Sequence, residues 1–216
     1  MSPPRRRAGN LPGKSATSSF DSGDAVSRPD SLATQRTRAR IAQATARLIA
    51  EHGLTDWTAA KRKACRELGL PERATLPAND EVEQALHDYN TLFRHRSQPL
   101  SLRAQREAAM KWMDELSRWN PVLIGGAAAG WATEHSDVHL ELEAEDPKEV
   151  ELALINAGVE YAAATATDPL SRVELRLDGD NCGIRLSILT PLQRRNRPRR
   201  DDARLSPAEL RSLLED

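Results

Sequence analysis

Cysteine is nearly absent from this chain: among 216 residues there are only Cys65 and Cys182, far apart in sequence. Two isolated thiols supply neither a cysteine-rich metal centre nor the disulfide framework of a small secreted domain, so both read as reduced core thiols. Aromatic residues make up 4% of the chain, with four tryptophans, two tyrosines and two phenylalanines. That leaves no aromatic ladder interleaved with basic residues on which nucleic-acid bases stack. Neither sign of charge dominates, since 31 Lys and Arg face 32 Asp and Glu. No global field therefore draws in nucleic acid or a membrane, and binding to either has to come from a local patch. No stretch approaches the roughly 20 apolar residues of a membrane span, and no apolar segment follows Arg5, Arg6 and Arg7. A secretory signal is not expected, and the expected location is the cytoplasm, with no membrane partner.

What is present falls into four parts. Residues 1–33 are rich in Ser, Pro, Gly, Asp and Arg and nearly devoid of large apolar groups. They cannot bury enough surface to offset ordering entropy, and disorder is expected. Residues 34–120 carry helical periods. Ile41, Ala44, Leu48 and Ile49 mark a first helix closed by Gly53. A second, from about Asp56 to Leu68, has an apolar stripe of Trp57, Ala60, Ala64 and Leu68, with Lys61, Arg62, Lys63 and Arg66 on the remainder. Asn79 or Asp80 is expected to cap a third helix bearing Val82, Leu86, Tyr89 and Phe93. Pro99 breaks it, and Ser101 caps a fourth that ends at Pro121.

Residues 121–190 change period from 3.6 to 2. Val122-Leu123-Ile124 reads as a short buried strand running into Gly125-Gly126. Val138, Leu140 and Leu142 alternate with Asp137, His139, Glu141 and Glu143. Pro147 starts a helix closed by Gly158, a weaker strand follows at 159–164, and Val173–Leu177 with Ile184–Ile188 reads as a hairpin. Residues 191–216 hold arginines 194, 195, 197, 199, 200 and 204 and then a short helix from Ser206-Pro207. The expected fold class is α+β: a helical N-terminal region followed by a small mixed sheet of about five strands.

The order strand, Gly125-Gly126, about ten residues, acidic alternating strand, helix, further strands resembles the nucleotidyltransferase superfold over about residues 105–190. In that family two acids at alternate positions of the second strand and a third from a later strand hold two metal ions that bridge a nucleoside triphosphate. Carboxylates suit magnesium, and several oxygen ligands on one wall suit two-metal chemistry. The resemblance implies Gly125, Gly126 and Ser136 beside the nucleotide, Asp137 and Glu141 as catalytic acids, and Asp137, His139 and Glu174 as ligands of Mg or Mn. The motif departs from the family at His139, where the second acid is expected. Glu141 lies two residues further, about 6–7 Å along the strand. His139 reads as a metal ligand, a general base or a solvent-facing strand residue, and His135, Asp137 and His139 alternate as a single-strand cluster. Two outcomes stay open: metal-assisted nucleotidyl transfer, or a scaffold that has lost it.

The helical half resembles two further groups. Arg40 to Leu54 and Ala64 to Leu70 resemble the opening of a tetracycline-repressor-type regulator, but Pro71 and Pro77 bracket the stretch that has to supply a recognition helix. Ile49 to Gly53, Lys61 to Ala64 and Leu76 to Val82 resemble a proteobacterial nucleotidyltransferase-like group of about this size. Some members carry peptidoglycan amino-acid ligase names, yet the chain lacks the glycine-rich ATP loop such a ligase needs. The alternative to an enzyme is a binding module for nucleic acid or a protein partner, acting through the basic second helix and Arg194, Arg195, Arg197, Arg199 and Arg200.

Overall fold

The computed structural model describes residues 32–54, 56–71, 74–164, 173–179, 182–197 and 203–215. Most of the segment expected to be disordered lies outside these residues; its last two, Leu32 and Ala33, open the first helix. In chain order the elements are α1 (Leu32–His52), α2 (Trp57–Glu67), α3 (Asn79–Phe93), α4 (Gln98–Glu115), a 3₁₀ turn (Ser117–Trp119), β1 (Val122–Ile124), α5 (Gly126–Ala129), β2 (Val138–Glu143), α6 (Pro147–Asn156), β3 (Tyr161–Ala164), β4 (Val173–Asp178), β5 (Gly183–Leu189), α7 (Pro191–Arg195), β6 (Arg204–Leu205) and α8 (Pro207–Glu215). The fold is α+β, as expected.

The helices end where the sequence punctuates them. At the end of α1 the Gly53 N–H donates to Ile49 at 3.0 Å with φ +63°, the left-handed C-terminal cap that glycine takes without strain. Asp56 caps α2 by accepting the Ala59 N–H. The α3 cap differs from expectation. Ala78 is the capping residue, and the Glu81 carboxylate returns to accept its N–H at 2.7 Å, leaving the Asn79 side chain for another partner. The α4 start also differs: Pro99 does not separate two helices but sits inside the first turn of α4, where its missing N–H costs nothing.

Among the described residues six strands, against about five expected, form a mixed sheet in the order β3-β4-β5-β2-β1-β6. β2 runs parallel to β5 and the other pairs are antiparallel. β6 has two residues, too few for a period to register in the sequence. The turn of the predicted β4–β5 hairpin falls partly outside the described residues, and its strands pair as expected. Register lines up side chains in rows that cross the sheet. Leu123, Leu140, Leu186 and Leu175 form one apolar row, and Val138, Ile184 and Leu177 the next. This face is buried against Ala109 and Met113 of α4, Val150 and Leu154 of α6, and Leu210 of α8. Helices α1, α2 and α3 enclose their own core of Ile49, Ala60, Val82 and Leu86, into which Trp57 and Trp131 pack. The opposite sheet face carries His139 and Glu141 of β2, Glu174 and Arg176 of β4, and Arg185 and Ser187 of β5, and the candidate site lies there.

Candidate functional site

The first element of the site is the turn after β1. Gly125 has φ +70° and ψ −153°, a region open in practice only to glycine. At Gly126, the first residue of α5, an added Cβ would lie 2.6 Å from the Trp131 ring. Both glycines are therefore required, and one of the two reasons is packing against an indole.

The second element is the loop from Gly130 to Asp137. Side chains of α3 and α4 hold its backbone by donating to successive carbonyls. The Gln98 amide reaches Gly130 at 3.0 Å and Ala132 at 3.1 Å. Asn90 reaches Trp131 at 3.1 Å. Gln105 reaches Thr133 at 2.7 Å and Ser136 at 3.1 Å. Arg94 pairs with Glu134 at 2.5 Å, a bond that holds the Glu134 carboxyl below its ordinary range. Sequence reading passed over all of these residues. The available signal was polar Asn90 and Gln105 set within otherwise apolar helix faces, where both are buried. Ser136, expected beside the nucleotide, spends its hydroxyl on the loop itself by accepting the Thr133 N–H at 3.0 Å.

Between this loop and the helical half lies a cleft of about 170 Å³. Gly125, Gly126, Ser136, Asp137 and His139 all line it, so five of the expected site residues come together. Trp57 and Trp131 form an aromatic wall, with ring centroids 5.2 Å apart and planes tilted by 57°. Gly53 allows the contact that closes the cleft, because its missing side chain leaves room for the His135 Cβ. Gly183 does the same for Asp137, whose carboxylate would lie 2.3 Å from an added Cβ. Burial, and then the negative charge of Asp137, push the nearby Cys182 thiol up from its ordinary pKa.

The remaining expected residues are placed differently. On the polar face, register sets His139 beside Arg185 and Arg176 in one row, and Glu141 beside Ser187 and Glu174 in the next. Arg185 lies 3.5 Å from Asp137 and 3.2 Å from Glu174, and Arg176 lies 3.6 Å from Asp137. The Ser187 hydroxyl donates to Glu174 at 3.2 Å and stands 2.6 Å from the His139 Nε2. Glu141 is fully buried and faces three guanidinium groups: Arg194 at 3.3 Å, Arg204 at 2.5 Å, and Arg197 in direct contact.

This arrangement does not fit two bound divalent cations. Such ions need several oxygens converging on one point at about 2.0–2.1 Å for magnesium. Along the backbone Asp137 stands four residues, about 13 Å, from the row of Glu141 and Glu174. Between Asp137 and Glu174 the structure places the Arg185 guanidinium, itself a cation. Among the described residues no group of three or more His, Cys, Asp or Glu is arranged to hold a metal ion.

Of the basic groups named for a binding module, Arg62 and Arg66 of α2 are exposed and Lys63 is half-buried. Lys61 is buried, and its amine donates to Asn79 at 2.7 Å; burial lowers its pKa despite the nearby charges of Glu81 and Asp80. Arg194 and Arg197 are turned onto Glu141, while Arg195 is exposed. Arg199 and Arg200 lie outside the described residues. No helix among the described residues is long and apolar enough to cross a membrane.

The chain matches no protein-family model and no curated protein at a significant level. Its chemistry must be read from the site alone. The cleft is lined by the Asp137 carboxylate and the Arg185 guanidinium, by the His135 and His139 imidazoles and the Thr133 and Ser136 hydroxyls, and by apolar Ile49, Leu54, Trp57 and Trp131. The acids that two-metal chemistry needs are engaged with arginines.

Proposed function

We propose that this chain is a nucleotidyltransferase-like protein that binds a nucleotide beside Gly125-Gly126 and does not carry out transfer. The observation that carries the reading is the cleft itself. The glycine turn, the Asp137 carboxylate and His139 converge there beside Trp57 and Trp131; the glycines and Asp137 stand in the order that the nucleotidyltransferase resemblance implies, and His139 stands where its second acid is expected. Support for the absence of transfer comes from the acids. Asp137 and Glu174 share Arg185, and Glu141 is enclosed by Arg194, Arg197 and Arg204. A carboxylate that already neutralises a guanidinium has to give up that pairing before it can hold a metal.

The test is thermal stability of the purified protein against a nucleotide panel, with and without Mg or Mn, beside an assay for pyrophosphate release. A ligand that prefers the folded state raises the melting temperature. The expected result is stabilisation by nucleotide with no pyrophosphate released under either metal. Metal-dependent pyrophosphate release that disappears in Asp137→Ala restores the catalytic reading. No stabilisation by any nucleotide removes the binding reading.

A further inference from the structure

The cleft has a size and a charge balance that say which part of a nucleotide it takes. Its volume of about 170 Å³ is close to the roughly 150 Å³ of an engineered cavity that holds one benzene, and well below the roughly 300–1,000 Å³ of sites for whole drug-sized ligands. One ring fits, and the remainder of a larger ligand projects into solvent.

Charge gives the second constraint. Among the cleft's lining residues Arg185 is matched by Asp137, each has a further partner that does not line the cleft (Glu174 for Arg185, Arg176 for Asp137), and His135 and His139 complete the polar lining. The nearby Glu134 is likewise matched by Arg94. A polyanionic tail entering the cleft gains little from Arg185, because it also meets the Asp137 carboxylate. The same pair suits a neutral edge well. A guanidinium carries only donors and a carboxylate only acceptors, so Arg185 and Asp137 together present a donor and an acceptor side by side. Nucleobase edges carry adjacent acceptors and donors, and their faces stack on indole rings with about 1–3 kcal/mol per base.

We infer that the cleft recognises the neutral nucleoside end of its ligand, with the base against Trp57 and Trp131 and its polar edge against Asp137 and Arg185. Phosphate groups and divalent metal contribute nothing to the affinity. This rests on the nucleotide-binding reading above, and narrows it from the charged end of the ligand to the uncharged one.

The experiment is calorimetric titration of the full chain with adenosine, cytidine, guanosine and uridine and with the matching triphosphates. Each is run in EDTA and in magnesium, at low and at high salt. The expected result is at least one nucleoside binding within about threefold of its triphosphate, with no change on adding magnesium. Affinity should also be unchanged between about 50 mM and 500 mM salt, since screening acts on charged ligands and not on neutral ones. Asp137→Asn lowers that affinity about tenfold by replacing one charged acceptor oxygen with an amide donor, while Glu143→Gln, on the same strand and outside the cleft, leaves it unchanged. The salt and magnesium arms need no variant, so a poorly folded Asp137→Asn protein does not spare the inference. A triphosphate that binds tenfold or more tighter than its nucleoside, or only with magnesium, overturns the inference and leaves the nucleotide-binding reading standing. Binding of nothing in the panel overturns both.

Discussion

Arg204 reaches across an intervening strand to donate to Glu141: it lies on β6, Glu141 lies on β2, and the guanidinium crosses β1 to stand 2.5 Å from the carboxylate. With Arg194 and Arg197 it makes Glu141 the anchor of the C-terminal segment on the sheet. An acid that resembles a catalytic ligand in the sequence is, in three dimensions, the fully buried centre of an ion-pair cluster.

Removing that acid is therefore a stability experiment. Glu141→Gln leaves three guanidinium groups without their common anion, and breaking a buried pair by deleting one partner costs about 3–5 kcal/mol. Urea denaturation should show a loss of this size. Nucleoside affinity should stay at the wild-type value, because Glu141 does not line the cleft.

Gly126→Ala addresses the glycine turn. The new methyl lies 2.6 Å from Trp131, so the indole has to move, and overpacking of this kind costs about 1–3 kcal/mol. Tryptophan fluorescence should change and ligand affinity should fall. An unchanged emission spectrum and unchanged affinity would contradict the role given to Trp131 as a cleft wall.

Cys182 reports on Asp137. Burial and then the Asp137 charge raise the thiol's pKa, which lowers the thiolate fraction at neutral pH. In Asp137→Asn the second of these causes is gone and the first remains. Alkylation of Cys182 at fixed pH should accelerate, while Cys65, raised by burial alone, should keep its rate. Peptide mapping after timed treatment with iodoacetamide separates the two sites.

Acid stability has an identifiable source in the helical half. Burial pushes the Glu81 carboxyl up, but hydrogen bonds from Arg38 and the Ala78 N–H and the charges of Arg38 and Lys61 outweigh it, so the net shift is downward from 4.5. A folded pKa below the unfolded one stabilises fully above the unfolded value, and the benefit is lost as pH falls through the folded value. Melting temperature should therefore drop on acidification below about 4.5. Glu81→Gln should flatten part of that drop and lower the plateau near neutrality by up to about 1 kcal/mol, the scale of a partly exposed pair.

Lys61 and Asn79 belong to two of the three short stretches on which the expected resemblance to a proteobacterial group is based, and the structure joins them at 2.7 Å. Glu81, from the same stretch as Asn79, also pairs with Arg38 of α1 at 2.6 Å. These residues tie α2 and α3 together and to α1.

The sequence alone was sufficient for the elements whose causes are local. Apolar residues at helical spacing marked α1 to α4 and α6, and the alternation Val138, Leu140, Leu142 marked β2 and its buried face. Glycine and proline marked the ends. The turn at Gly125-Gly126 and the placement of Asp137 and His139 beside it were legible as well, because a short strand, a turn and the next strand are neighbours in the chain. Short elements such as β6, α5 and α7 were not legible, since two to five residues carry no period. The state of each acid was decided only by tertiary structure. Arg185 reaches Glu174 through strand pairing, and Arg197 and Arg204 reach Glu141 from 56 and 63 residues away. Whether a carboxylate faces an open cleft or a guanidinium depends on which distant side chains converge on it in space, and a strand's own alternation holds no record of that.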